Sequence, residues 1–348
     1  MAGRIAAPLL LLLALACAPA TTPTGRTGTT AAPPAPGPTE APSTPLQKLT
    51  VAIVAPTETM VIPWIAKETG IFVRQGFDAE VLLVTGTPRL VQSLIAGDFD
   101  YAIVGVTALM RARMQGAEPV ILAATANHST QTVMVHPQAG IQQLTDLRGR
   151  TVGVSQYGSE ADTFLRIALS RVGLSADDVA LLQTGGHPQT LAALVSGNLD
   201  AGVLGGAVAV AAQQAGMLKL ADGRELNVLA PAGTLATTRR LIERDRDAVR
   251  RFMRAYVEGI HYFKTQRDEA IRIMQQHMGD LPADVISLLY DMVRDVYQPL
   301  PLPSEEAIQA VLDRETDPQA RAFKPSDFLD VSFLREIEQS DWFAMLYR

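Results

Sequence analysis

Residues 94–105 read Leu-Ile-Ala-Gly-Asp-Phe-Asp-Tyr-Ala-Ile-Val-Gly, and residues 194–205 read Leu-Val-Ser-Gly-Asn-Leu-Asp-Ala-Gly-Val-Leu-Gly. Leu94, Gly97, Asp100 and Gly105 of the first copy correspond to Leu194, Gly197, Asp200 and Gly205 of the second at a single offset of one hundred residues. Each copy reads as the end of a helix, a glycine turn, an aspartate and a short apolar strand that closes on glycine. The period is too long for a stacked solenoid, whose units run about 20–50 residues. It describes two similar α/β lobes. The aspartate of each copy is expected to fix the turn before its strand through its own backbone contacts, with a ligand contact as the alternative.

The pattern extends in both directions. Short β-branched runs predict strands over 49–55, 79–84, 101–105 and 120–124, with helices over 62–70, 88–96 and 107–115 between them. A second set follows, with strands over 132–136, 151–155, 179–183 and 201–204 and helices over 159–172 and 188–196. After residues 234–238 the chain turns helical, over 239–265, 267–278, 282–296 and 304–310. Alternation of this kind builds mainly parallel sheets covered on both faces.

The chain has 348 residues, 47 % of them hydrophobic, 19 % charged and a net charge of −6. A disordered polyelectrolyte and a protein built to grip nucleic-acid phosphates are both excluded. The one cysteine, Cys17, rules out a disulfide framework and a multi-cysteine metal site, and no histidine spacing suggests a metal. Neither a metal nor a cofactor is expected. Met1–Arg4 is a basic start, and residues 5–16 are apolar, the proportions of an export signal rather than a span. Leu13-Ala14-Leu15-Ala16-Cys17 reads as a lipoprotein signal with Cys17 lipidated, and Ala14-Leu15-Ala16 as an ordinary cleavage site. The Ala/Thr/Pro/Gly composition after Cys17, over residues 18–47, is expected to form a disordered tether, which suits a membrane anchor.

The run from Pro63-Trp64 through Ala66, Glu68, Gly70, Phe72, Gly76 and Asp78 to Val81 resembles the opening of the nitrate/sulfonate/taurine-type substrate-binding proteins of ABC importers. That family overlaps with relatives of thiamin-pyrimidine synthases. The resemblance continues through Leu94–Asp100, Asp146–Gly153, Val172–Leu174 with Asp178-Val179, Leu235–Arg239 and Arg250–Tyr256, in order over residues 48 to 300. It implies an α/β clamshell of the two-lobed periplasmic-binding-protein type 2, each lobe a mainly parallel sheet flanked by helices, with extra C-terminal helices. One lobe would hold residues 48–131 plus 239–348, the other 132–238, with crossovers near 131–137 and 233–238. It further implies a non-catalytic, monomeric receptor at the cell surface or in the periplasm. Such a receptor captures a small-molecule solute between its lobes and hands it to a permease with ATPase subunits. A module presenting its ligand to a membrane sensor is the alternative, and an enzyme on the same fold a more distant one.

In open parallel sheets, ligands lie beyond the carboxyl ends of strands, beside helix N-termini. That places the candidate ligand-binding residues in the first lobe at Thr57, Glu58, Thr59, Gly86, Thr87, Gly105, Thr107, Asn127 and His128. In the second lobe they are Gln156, Tyr157, Gly158, Ser159, His187, Gly205 and Gly206. Trp64 is a stacking wall or a core residue, Thr87 a ligand hydroxyl or a helix cap, and the glycines ligand approaches or plain turns. Glu58 would repel an anion; either it points outward or the ligand carries a cationic or hydroxyl group. The expected solute is a small organic molecule with an acidic or carbonyl end rather than a bare inorganic anion.

Overall fold

Successive residues of the central strands go to opposite faces, and that period of two organises both sheets. A computed structural model describes residues 45–279, 281–315 and 317–348. The strands are β1 (Gln47–Ile53), β2 (Phe77–Leu83), β3 (Tyr101–Val104), β4 (Pro119–His128), β5 (Gln131–Val135), β6 (Thr151–Val154), β7 (Ala180–Gln183), β8 (Ala201–Gly205), β9 (Leu218–Asp222) and β10 (Leu229–Thr238). Val51, Ile53 and Ile103 point into one core of the first lobe, Ala52, Ala102 and Val104 into another on the opposite face. In the second lobe Val133, Val135, Val152, Val154 and Val203 share one core, and Met134 and Leu204 the other. The expected leader, Cys17 and all but the end of the tether lie outside the described residues. Gln47, placed at the end of that tether, already pairs with Phe77.

The sheets run β2-β1-β3-β10-β4 and β7-β6-β8-β5-β9. In each, three strands are parallel and the fourth, β10 or β5, lies antiparallel to both neighbours. The two halves therefore carry the same strand order, with the repeated segments supplying β3 and β8 at equivalent places. The aspartates, expected to fix their own turns, bond instead to a neighbouring strand. Asp100 Oδ2 accepts from the Thr50 amide at 2.9 Å, at the head of the neighbouring β1. Asp200 Oδ2 accepts from the Thr151 amide at 2.9 Å, at the head of β6. Each sets the register of a parallel pair that no hairpin fixes. Replacing either by alanine leaves a half-buried amide unpaired and is expected to lower unfolding free energy by about 1–3 kcal/mol. Urea titration checks this, and an unchanged midpoint for both variants would contradict it.

The chain crosses between lobes twice, between β4 and β5 and between β9 and β10. Gly233–Thr238 is not the return crossover: these residues are the interior of β10, paired with β3 and β4. The return lies at residues 223–228, where the Asp222-Gly223 pair makes the turn. The outgoing and return segments are hydrogen-bonded to each other, Ser129 N–H to Val228 O at 2.9 Å and Gly223 N–H to Gln131 O at 3.0 Å. His128 Nε2 meets Asn227 Oδ1 at 2.8 Å across the same pair.

The C-terminal helices complete the first lobe. The expected helix over 239–265 is two, Arg239–Arg244 and Arg246–Thr265, because Asp245 leaves helical geometry and its carboxylate caps Ala248 N–H at 3.0 Å. The longer helix buries Phe252, Tyr256 and Ile260 against β1, β3 and the first helices. A helix not anticipated from sequence, Gly206–Gln214, belongs to the second lobe yet packs on Ala283–Arg294 of the first. Val210 enters the first lobe's core, and Gln214 Nε2 donates to Asp284 Oδ2 at 3.0 Å. This contact closes one side of the space between the lobes.

Candidate functional site

The loop after β1 is held from behind. Tyr297 Oη donates to the Glu58 carbonyl at 3.0 Å, and Thr125 Oγ1 donates to the Thr59 carbonyl at 3.0 Å. Gly233 passes so close that a Cβ there would stand 2.5 Å from both Thr125 Oγ1 and the Thr59 carbonyl. Its φ of +56° is also left-handed, so only glycine fits without strain. Thr57 and Thr59 join their hydroxyls at 3.2 Å. With its main chain fixed, Glu58 sends its side chain across to the second lobe. Its carboxylate oxygens lie 2.9 and 3.0 Å from where a Cβ on Gly206 would be.

Glu58 is 5 % exposed. Among the described residues no other residue donates a hydrogen bond to its carboxylate. Burial pushes its carboxyl above the ordinary range, and its own backbone N–H offsets part of that. The folded chain therefore holds this proton more tightly than the unfolded chain. By linkage, Glu58 contributes stability that is present in acid and is lost as pH rises through the raised value.

Glu58 walls a cavity of about 330 Å³. From the first lobe come Ala126, Asn127 and His128, together with Met292, Val293, Asp295, Val296 and Gln298 around the end of helix Ala283–Arg294. The crossovers and second lobe supply Ser129, Thr130, Thr132, Gly206, Asp222 and Arg224. Four residues named from the sequence thus meet here: Glu58, Asn127, His128 and Gly206. Asn127 is already engaged, its Nδ2 donating to Leu302 O at 2.9 Å and its Oδ1 accepting from Ser304 N–H at 2.8 Å. It clamps the loop before helix Glu305–Leu312 and also borders the cavity.

Thr87, Gly105 and Thr107 border a separate groove, about 630 Å³, between helices Thr87–Ala96 and Val106–Met114. The other candidates line neither hollow. Trp64 is a core residue, 7 % exposed, its ring stacked on His277 at 4.9 Å. Gly86 and Gly158 have left-handed φ of +94° and +75° and shape the turns before helices. Ser159 caps helix Glu160–Ser170 by accepting from Asp162 N–H. Gln156 lies in the turn before it, its carbonyl accepting from Ser159 N–H. Tyr157 is 56 % exposed and donates its hydroxyl to Leu181 O.

His187 Nδ1 accepts from Gly205 N–H at 2.8 Å, which requires an unprotonated Nδ1. Burial lowers its pKa, so the neutral ring is the folded form. A lowered pKa contributes stability that is present above the unfolded value and lost as pH falls through the folded one. Wild-type melting temperature is expected to drop on acidification below about pH 6.5, and His187→Gln to flatten that limb. Parallel slopes in the two proteins would contradict it.

The cavity residues that sequence missed come from the crossovers, the ends of the strands that flank them (Ala126, Thr132 and Asp222) and the end of helix Ala283–Arg294. The one local signal for them was the Asp222-Gly223 turn, which marks a reversal but not its place between lobes.

Two mixed sheets of the same strand order, joined by two crossings of the chain with a hollow at the crossing, define a two-lobed α/β architecture. The chain belongs to the NMT1/THI5-like family, whose model matches residues 59–270. A Brucella abortus protein is 31 % identical over 138 residues, 39 % of this chain and 41 % of that one. The chain thus matches about two-fifths of the length of these curated relatives. Among solved structures, the periplasmic aliphatic sulphonate binding protein SsuA of Escherichia coli superposes with a TM-score of 0.65 at 21 % identity, over 82 % of this chain and 91 % of SsuA. The periplasmic nitrate-binding protein NrtA of Synechocystis gives 0.63 at 12 %, over 87 % and 91 %. The same fold is found in DSZB, solved in complex with biphenyl-2-sulfinic acid, at 0.63 and 16 %, over 83 % and 98 %.

Proposed function

We propose that this chain is the solute-capturing receptor of an ABC importer. It works outside the cytoplasmic membrane as a monomer, is anchored through a lipidated Cys17, and passes its cargo to a permease with ATPase subunits. One observation carries the reading: a single cavity is walled by Glu58 of the first lobe, Thr132 and Gly206 of the second and the crossovers between them. A ligand that touches both lobes binds the closed arrangement better than the open one, and that difference signals loading to a partner. The likeness in fold to sulfonate- and nitrate-binding proteins supports the importer assignment. The cavity exceeds what a bare inorganic anion needs and falls in the range of small organic ligands. No residue beyond Cys17 offers a thiol, and we assign the chain no catalytic step.

Crosslinking in membranes of the source cells, followed by capture of the full chain, tests the partner. A permease and its ATPase are the expected products, and a sensor kinase or chemoreceptor in their place would move the chain to ligand presentation. Metabolic labelling with palmitate should mark the wild type and not Cys17→Ser. Equal labelling would remove the anchor from the proposal.

A further inference from the structure

We infer that Glu58 is the recognition group for a protonated nitrogen, and that the solute is a small organic molecule bearing an amine or amidine; this deepens the receptor reading above and rests on it. Glu58 is nine-tenths buried, borders the cavity and, apart from its own backbone N–H, takes no hydrogen bond from a described residue. An ionised carboxylate taken from water with no opposite charge beside it is among the most costly groups a fold can hold. Buried polar groups in native proteins are almost always paired, and here the unfilled position opens on the hollow.

The group is also pre-positioned. Tyr297 and Thr125 fix the main chain just after its Cα, at the Glu58 and Thr59 carbonyls, and Gly206 lacks the side chain that would occupy the carboxylate's place. A group this constrained loses little further freedom when a ligand binds.

Charge points the same way. Of the charged residues lining the cavity, Asp222 is balanced by Lys219, which leaves Glu58 and Asp295 against one guanidinium, that of Arg224. Asp222 is turned to Lys219 at 3.0 Å and to the amides of Arg224 and Glu225, so it does not compete for the ligand. A sulfonate or carboxylate placed against Glu58 would meet like charge with little water to screen it. A metal ion is not favoured, because the described residues hold no group of three or more His, Cys, Asp or Glu that could ligate one. Ala126, Met292 and Val296 give the carbon part of an organic cation an apolar wall. The expectation of an acidic end therefore gives way at Glu58 to the alternative it carried, a cationic group.

The full chain and Glu58→Gln are each dialysed against a total metabolite extract of the source cells, and retained compounds are identified by mass spectrometry. Agmatine, putrescine and benzylamine are titrated in parallel with ethanesulfonate, benzoate and nitrate. The retained compound is expected to carry a basic nitrogen, and amines are expected to compete with it where the anions do not. Glu58→Gln should bind it about ten- to a hundredfold more weakly, the loss of one charge-assisted hydrogen bond. Without ligand the variant should melt no lower than wild type, since a buried carboxyl with no cationic partner has gone. Met292→Trp, at the exposed rim, should also weaken binding with Glu58 intact, which keeps the test independent of that variant's folding. A retained anion without basic nitrogen, or equal binding by Glu58→Gln, overturns the inference and leaves the receptor standing. A lower melting temperature for Glu58→Gln with binding unchanged would make Glu58 a cap between lobes. If wild type retains no small molecule at all, it is the receptor reading that fails.

Discussion

Gly223→Val is expected to destabilise the protein by about 3 kcal/mol or more, a fall of several degrees in melting temperature. The reason lies at the hinge. A Cβ on Gly223 would stand 2.2 Å from the Ser129 carbonyl oxygen and 2.8 Å from Ser129 Cβ, on the other crossover. Backbone cannot rotate out of the way as a long side chain can. The two crossovers would have to separate, breaking the bonds Ser129 N–H to Val228 O and Gly223 N–H to Gln131 O. Ser129, Thr130, Thr132 and Arg224, which line the cavity, would move with them. Ligand affinity should therefore fall together with stability. Calorimetry of the variant checks the first effect, and a melting temperature within a degree or so of wild type would contradict the hinge geometry.

Phe252→Ala is expected to cost about 3–5 kcal/mol, the usual range for removing a fully buried aromatic. Phe252 stacks on Tyr101 with ring centroids 3.6 Å apart and reaches Phe72 at 5.8 Å. It joins the long C-terminal helix to the centre of the first sheet, and its removal opens a hollow under β3. The second lobe has separate cores and should keep its own stability, so denaturation of the variant is expected to split into two transitions. Phe252→Leu, which keeps most of the volume, should lose clearly less. A loss under about 1 kcal/mol would place the helix's main anchor elsewhere.

What the sequence makes legible follows from locality. The repeat at Leu94 and Leu194 marks equivalent strands because the same aspartate-to-amide bond recurs at Thr50 and Thr151. Alternation in Thr50–Ile53 and Val133–Val135 is a property of the strand itself. Elements set by tertiary contact are harder to read. Residues 206–214, Gly-Ala-Val-Ala-Val-Ala-Ala-Gln-Gln, lack charge and capping signals, and the helix stands because Val210 packs on the opposite lobe. The start of β10, Leu-Ala-Pro-Ala-Gly, carries two residues that argue against a strand, and it pairs because β4 runs long beside it.

The site divides along the same line. Rules about strand ends placed Glu58 and Gly206, since both follow strands that end at the cleft. They could not show that Trp64 turns into the core, that Asn127 commits both ends of its amide to residues 302–304, or that Tyr297, far along the chain, holds the Glu58 carbonyl. Such contacts pair residues more than a hundred positions apart, and no local pattern encodes them.

A thermal-melt screen of the full chain tests the central claim most directly, with amines, amidines, sulfonates, carboxylates, pyrimidines, flavins and inorganic anions as the panel. A ligand at about a hundred times its dissociation constant adds roughly 2.7 kcal/mol, a rise of several degrees. A receptor predicts such a rise with a single chemical class and recovery of the compound unchanged. Recovery of a chemically altered compound would contradict it and make the chain an enzyme on this fold.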